Sequence, residues 1–143
     1  MRWWDTSALL CLLLEQKATE KLKALLASDE DLVVWWGAKI EGVSAISRLE
    51  RDGHIGTRAS TQLLKQLEAL VSAAYELQPL EEVRTTACRA LRVHELRAAD
   101  ALQLAAALVW AEHHPAGMEF VCLDRRLRGV ATREGFEVVP ESR

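Results

Sequence analysis

Short apolar runs of strand length alternate with longer helical segments along this chain of 143 residues, and the alternation limits the fold more than any other feature. Runs typical of strands cover residues 2–5, 32–36, 120–123 and 136–139. The run at 32–36 reads Leu-Val-Val-Trp-Trp and has no polar face, as is typical of a parallel strand buried on both sides. The alternation predicts an α/β fold whose mainly parallel sheet of four or five strands is covered by helices on both faces.

Helical patterns account for most of the remaining sequence. Helices are predicted at residues 8–14, 17–27, 38–51, 57–76, 96–113 and 125–134, and from Pro79 onward. The helix at 57–76 and the one that begins at Pro79 predict a helical hairpin over residues 57–94. The segment at 96–113 is apolar almost all round, so it belongs in a core. Because no Pro-, Gly- or Ser-rich linker divides the chain, we expect a single domain over residues 1–143.

Composition narrows the possible functions. Hydrophobic residues make up 50% and charged residues 27%, as in globular proteins. A net charge of −3 excludes binding of nucleic acid by bulk positive charge, although not through a local site or metal ions. The three cysteines form no CxxC motif, and the four histidines lack zinc-site spacing, which favours a reduced, cytoplasmic protein. The apolar run at 8–14 is too short to cross a bilayer, so no membrane association is expected.

Four acidic residues occupy related places in this pattern. Asp5 and Asp124 stand at the carboxyl ends of predicted strands, and Glu41 and Asp100 stand near the starts of predicted helices. A helix that connects two parallel strands runs antiparallel to them, so its N-terminus lies at their carboxyl edge. All four acids are therefore expected at one edge of the sheet, where open α/β folds place their ligand sites.

Each acid taken alone has a structural explanation. Asp5 is suited to cap the next helix, Glu41 to face the positive end of a helix dipole, and Asp124 to form a turn. Asp100 lies in an apolar helix and has Arg97 as a possible ion-pair partner at i−3. The convergence of four acids from separate segments is harder to explain structurally. Such acids repel one another unless a cation is present, and oxygen ligands without His or Cys suit Mg²⁺ or Mn²⁺, which commonly serve phosphoryl transfer.

At these positions the sequence resembles PIN domains. Four motifs in order carry the resemblance, which spans nearly the whole chain: Asp5-Thr-Ser-Ala-Leu9, Glu41 followed seven residues later by Arg48, Leu96-Arg-Ala-Ala-Asp100-Ala-Leu-Gln-Leu-Ala, and Phe120-Val-Cys-Leu-Asp124. In length and motif order the sequence is most similar to the VapC toxins of VapBC toxin–antitoxin pairs.

The resemblance implies a three-layer α/β/α sandwich and a Mg²⁺- or Mn²⁺-dependent endoribonuclease that cleaves RNA. It also implies inhibition by a cognate VapB-type antitoxin, and often a homodimer. By motif match, Asp5, Glu41, Asp100 and Asp124 take the catalytic and metal-binding positions, with Asp5 and Asp100 as the most direct ligands. The hydroxyls of Thr6 and Ser7 are expected to orient metal-bound waters or to cap the helix.

Other residues near the motifs have two explanations each. The pairs Trp3-Trp4 and Trp35-Trp36 are interpreted as core or packing residues, with base stacking as the alternative. Gln103 follows Asp100 at i+3 and shares its face or serves as a core amide. Five arginines are candidates for an RNA-binding rim or for solvated surface charge: Arg48, Arg97, Arg125, Arg126 and Arg128. Arg48 could instead neutralise Glu41. The predicted hairpin at 57–94 is a candidate for antitoxin binding or dimerisation.

Two other classes of function compete with the nuclease. One is a PIN-like module that binds RNA or protein without catalysis. The other is a different phosphoryl-transfer fold, which is disfavoured because Ser7 stands where a haloacid-dehalogenase-type phosphatase needs its second Asp, and because no lysine follows Lys65. The overall acidity does not exclude an RNA partner, since removing the four candidate acids from 21 leaves 17 acidic against 18 basic residues.

Overall fold

A computed structural model describes residues 1–141, which form five strands and seven helices. In chain order these elements are β1 (Arg2–Trp4), α1 (Thr6–Leu13), α2 (Thr19–Ser28), β2 (Leu32–Trp35), α3 (Ala38–Arg51), α4 (Thr57–Ala73), β3 (Tyr75–Leu77), α5 (Glu81–Val93), α6 (Ala98–Trp110), β4 (Glu119–Val121), α7 (Arg125–Glu134) and β5 (Glu137–Val139). The predicted α/β class is confirmed. The end of α7 matches its prediction, because Gly135 adopts a left-handed conformation (φ 110°) that terminates the helix.

All strand pairs in the sheet are parallel, in the order β3-β2-β1-β4-β5. The chain builds outward from β1 through β2 to β3, and then returns to place β4 on the other side of β1. The strand order therefore reverses between β1 and β4. Parallel α/β folds place their ligand crevices at such a switch point, outside the carboxyl ends of the strands.

Helices cover both faces of the sheet, which gives the three layers that the resemblance implied. On one face Trp3, Val33 and Phe120 are buried against α5, α6 and α7. On the other face Trp4 and Val34 are buried against α1 and α2. A third cluster joins α3 and α4 to the outer side of α1. Helix α6 is the core helix expected from its composition, since its residues from 103 to 108 are all buried.

The predicted helical hairpin over residues 57–94 is wrong. Tyr75, Glu76 and Leu77 form β3, which pairs in parallel with β2 and separates the two helices. Helix α4 packs against α3, whereas α5 packs against α6 on the opposite face of the sheet. The apolar stripe of α4 continues to the helix end without a break, so the pattern extends the predicted helix over the first two residues of β3, Tyr75 and Glu76. The backbone at Ala74 is extended (φ −87°, ψ 157°), and this ends the helix.

Three of the four paired tryptophans fulfil the prediction of core packing. Trp3 and Trp4 are fully buried and Trp35 is 6% exposed, whereas Trp36 is 44% exposed and touches Trp35 edge-on. Trp36 is therefore a packing residue outside the core, in the turn that follows β2. Within residues 1–141, the helices are all too short or too polar to cross a membrane.

Candidate active site

Asp5 lies at the switch point, directly after β1. Its backbone N–H donates to the Val121 carbonyl at 3.0 Å, so the residue stays attached to β4 beyond the end of the strand. Its Oδ2 accepts from the Ser7 amide at 3.3 Å, the Ser7 hydroxyl at 2.5 Å and the Cys122 thiol at 3.2 Å. Asp5 is thus the N-cap of α1, as its structural explanation required. Because these three bonds all fall on Oδ2, Oδ1 can engage another ligand.

Burial dominates the electrostatics of Asp5. The side chain is 4% exposed, and the loss of solvation raises its pKa above the ordinary value of 3.8, although hydrogen bonds from Ser7 and Cys122 act in the opposite direction. A helix cap does not need such burial. The carboxylate is held rigidly at an energetic cost, which is typical of functional sites.

Glu41 lies in the first turn of α3 and shares the electrostatic environment of Asp5. Burial raises the pKa of Glu41 to about 7, and the Asp5 carboxylate adds to the increase. Asp100 raises this pKa further, whereas hydrogen bonds from Gln103 and Thr6 lower it. Arg48 forms no ion pair with Glu41 among the described residues, so the suggestion that it neutralises Glu41 is not supported.

Asp100 and Asp124 form the other side of the site. Burial and the Asp124 charge raise the pKa of Asp100, against the smaller effects of Arg126 and Arg97. Within residues 1–141, Asp100 makes no close ion pair with Arg97, and Arg97 acts on it only through its backbone amide and its more distant charge. Asp124 is exposed and caps α7 by accepting from the Leu127 amide at 2.9 Å.

Ser7 connects the two loops that carry Asp5 and Asp124. Its hydroxyl donates to Asp5 and accepts from the backbone amides of Leu123 at 3.0 Å and Asp124 at 3.3 Å. The loops after β1 and β4 are therefore held together by one side chain. The sequence predicted that Ser7 caps a helix or orients metal-bound waters, and it did not indicate this bridge between the two loops. The prediction also missed Cys122, whose position in an apolar strand gave no indication of its bond to Asp5.

Gln103 is a buried amide with all its polar atoms engaged. Its Oε1 accepts from the Trp3 indole at 3.2 Å, and its Nε2 donates to the Thr6 hydroxyl at 2.9 Å and to Glu41 Oε2 at 3.4 Å. The indole can only donate, so it fixes the amide with its NH₂ group toward Glu41. Both explanations offered for Gln103 hold, because it is a core amide that also contacts the site. The Trp3 contact spans 100 residues and has no local sequence signal.

Replacing Gln103 by Leu is expected to change both stability and the titration of Glu41. The change keeps side-chain size but leaves the Trp3 indole without an acceptor, which is expected to lower the free energy of unfolding by about 1–3 kcal/mol. Because the Gln103 hydrogen bond lowers the pKa of Glu41, its loss should raise that pKa above the wild-type value. NMR titration of the metal-free protein measures this shift. Gln66→Leu, on the exposed face of α4, should leave the titration unchanged, and an unaltered Glu41 pKa in Gln103→Leu would contradict the assignment.

The structure brings the four predicted acids into one electrostatically coupled group. The charge of Asp5 acts on Glu41, that of Asp100 also acts on Glu41, and that of Asp124 acts on Asp100. Within residues 1–141, no three His, Cys, Asp or Glu side chains converge closely enough to enclose a metal ion by themselves. Any cation at this edge would therefore depend on waters or on a bound ligand for part of its coordination.

Solved structures share this parallel α/β/α sandwich, which is the fold that the resemblance to PIN domains implied. A chain of a toxin–antitoxin complex from Klebsiella pneumoniae superposes with a TM-score of 0.68 at 13% identity, covering 98% of this chain and 97% of the other. VapC20 of Mycobacterium tuberculosis, described as a sarcin–ricin loop cleaving toxin, gives 0.65 at 17% identity, with 91% and 95% covered. A chain of FitAcB from Neisseria gonorrhoeae gives 0.67 at 19% identity, with 98% and 97% covered. The chain therefore has the same fold as these three solved chains.

The similarity is visible in the structures and not in sequence comparisons. No family model and no curated protein sequence matches the chain. The three structural relatives named above are each below 20% identity.

Proposed function

We propose that this protein is a Mg²⁺- or Mn²⁺-dependent endoribonuclease that acts as the toxin of a toxin–antitoxin pair. The observation that carries the proposal is the placement of four carboxylates at the carboxyl edge of the sheet. Asp5 and Asp124 follow β1 and β4, and Glu41 and Asp100 lie in the first turns of α3 and α6. Hard oxygen donors of this kind suit Mg²⁺ and Mn²⁺. Mutual repulsion among the carboxylates favours binding of a cation.

The donor set fits a magnesium ion. Mg²⁺ usually keeps several waters and binds through one or two carboxylates plus substrate phosphates, so it does not need a three-ligand protein cluster. Asp5 and Asp100 would hold the ion directly, and Glu41 and Asp124 would complete the site through waters. When bound, the ion would polarise the phosphodiester and lower the pKa of a coordinated water.

The chain's own residues would position the reactants. Ser7 and Cys122 hold one oxygen of Asp5 and leave Oδ1 for ligation. Gln103 donates to Glu41 Oε2 and orients this carboxylate at the edge of the sheet. The burial of Asp5 and Glu41 strengthens their interaction with any bound cation.

The fold relatives support the toxin assignment. VapC20 is described as a sarcin–ricin loop cleaving toxin, and the Klebsiella pneumoniae chain belongs to a toxin–antitoxin complex, which agrees with nuclease activity and with a cognate VapB-type antitoxin. We also propose that the protein forms a homodimer.

Incubation of the purified, antitoxin-free chain with RNA tests the proposed function. We expect cleavage with Mg²⁺ or Mn²⁺ and none in excess EDTA, with activity restored when the metal is added back. Because Mg²⁺ sites of this type lack a protein cage, EDTA should leave the fold intact by circular dichroism. Equal cleavage in EDTA would exclude metal-dependent catalysis. Absence of both cleavage and metal binding by calorimetry would favour the catalytically inactive binding module.

A further inference from the structure

A groove beside the acidic site is lined by cations on a protein that carries a net charge of −3. The groove has a volume of about 960 Å³ and lies between the beginning of α2 and one face of α7. We call it the basic groove; its lining residues are Lys17, Ala18, Lys21, Leu123, Arg125, Arg128, Gly129, Thr132, Pro140 and Glu141. Four of these side chains are basic and one is acidic.

Three of the four cations are free to bind a ligand. Lys17, Lys21 and Arg125 are exposed and make no ion pair within residues 1–141. Arg128 differs, because its guanidinium donates to the carbonyls of Cys122 at 2.6 Å and Pro140 at 2.7 Å. Arg128 therefore holds the ends of β4 and β5 together.

Some surface cations outside the groove, unlike Lys17, Lys21 and Arg125, are paired with carboxylates. On α2 itself Lys23 pairs with Glu20, and on α3 Lys39 pairs with Glu68. The absence of such partners around Lys17, Lys21 and Arg125 concentrates positive potential in the basic groove. A concave surface of one charge sign attracts ligands of the opposite sign.

The basic groove is continuous with the acidic site. Arg125 directly follows Asp124, and the Leu123 amide that borders the groove donates to the Ser7 hydroxyl beside Asp5. Leu123 and Pro140 follow the carboxyl ends of β4 and β5, so the groove opens on the same edge of the sheet as the four acids. A polyanion that crosses the acidic site can extend directly into the groove.

Among the described residues, none of those that line the basic groove is aromatic. Single-strand binding sites that grip bases do so by stacking them on aromatic rings, so this groove is suited to phosphates and not to bases. Phosphate contacts position a nucleic acid without reading its sequence. The ligand chemistry that fits is a flexible chain of phosphodiesters.

We propose that the basic groove binds the sugar–phosphate backbone of single-stranded RNA through Lys17, Lys21 and Arg125, on one side of the scissile phosphate. The inference rests on the proposed ribonuclease function, and it adds the path that the substrate takes across the surface. Binding through this groove is independent of base sequence.

The test compares RNA binding by two variants that lose the same charge. One is the triple variant Lys17→Gln, Lys21→Gln, Arg125→Gln; the control is Lys23→Gln, Arg58→Gln, Lys65→Gln, whose substitutions lie outside the groove. A short fluorescent single-stranded RNA is titrated in EDTA at several salt concentrations. Loss of three phosphate contacts should flatten the slope of log K against log salt by about two and weaken binding roughly 10- to 100-fold near 0.1 M salt, equally for RNAs of different sequence. The control should retain most of the affinity and slope.

Failure of this proposal is distinguishable from failure of the proposed function. If the wild type cleaves RNA but the triple variant binds RNA with the control's affinity and slope, the groove proposal alone is wrong. If the triple variant keeps RNA affinity but loses binding to polyglutamate, the groove is a protein-binding surface and the proposal is also wrong. If RNA binds through the groove but the wild type does not cleave, the proposed catalysis fails and the groove assignment stands. Lys21→Gln alone, checked by circular dichroism, repeats the test with the smallest change.

Discussion

Asp5→Asn and Asp100→Asn are each expected to reduce RNA cleavage by at least roughly 100-fold while the protein stays folded. Asparagine keeps the shape of the side chain but removes the negative charge, which is the property that a hard cation requires. The fold should survive, because the pKa of each carboxyl group is already raised by burial. Loss of the buried charge at Asp5 is expected to leave stability unchanged or increased.

The measurement is initial-rate cleavage of RNA at saturating Mn²⁺, with thermal unfolding of the same preparations. Asp52→Asn, on the exposed C-cap of α3, is a matched control and should behave like the wild type. Calorimetry should show weaker metal binding by both site variants. Full activity in Asp5→Asn or Asp100→Asn would remove that residue from the proposed metal site. If both variants unfold at lower temperature and Asp52→Asn does not, the carboxylates are structural.

The position of the acidic site could be predicted because it depends on topology alone. In a parallel sheet every strand ends at the same edge, so Asp5 and Asp124 had to lie together once β1 and β4 were recognised. Glu41 and Asp100 followed from the direction of their helices. The spacing of acids along the sequence, combined with the fold class, was enough to place all four.

The contacts that hold the acids could not be predicted in this way. Cys122 and Trp3 are apolar strand residues by pattern, and their bonds to Asp5 and Gln103 depend on side-chain geometry across distant segments. The sequence also could not predict which helices α4 and α5 pack against, because each carries a single apolar stripe that fits either face of the sheet. The three-residue strand β3 lies between the two helices and places them on opposite faces of the sheet.

The site is assembled at the expense of stability. The pKa values of Asp5, Glu41 and Asp100 are all raised, which means that ionisation of each group opposes folding. A fold selected only for stability would place neutral or paired side chains at this edge. The unfavourable charges are consistent with selection for a bound cation, which would offset their repulsion.

Glu41→Gln is expected to stabilise the metal-free protein at neutral and alkaline pH. The pKa of Glu41 is about 7 in the folded protein and near 4.5 when unfolded, so the unfolded chain releases its proton first. Below about pH 4 both states are protonated and the charge has no effect. Between these pKa values the cost of ionisation grows with pH, and above pH 7 it is constant at up to about 3 kcal/mol. Glutamine is never charged, so the variant should gain up to this amount at pH 8.

Thermal unfolding in EDTA measures the effect. At pH 8 the unfolding temperature of Glu41→Gln should exceed that of the wild type by about 5–10 °C, and the difference should vanish near pH 4. Glu30→Gln, on an exposed loop, should show no such difference at either pH. Mg²⁺ or Mn²⁺ should stabilise the wild type more than the variant, because a bound cation compensates the Glu41 charge only where that charge exists. A variant no more stable than the wild type at pH 8 would show that ionisation of Glu41 does not oppose folding, and the argument that this edge is built for a cation would lose its electrostatic basis.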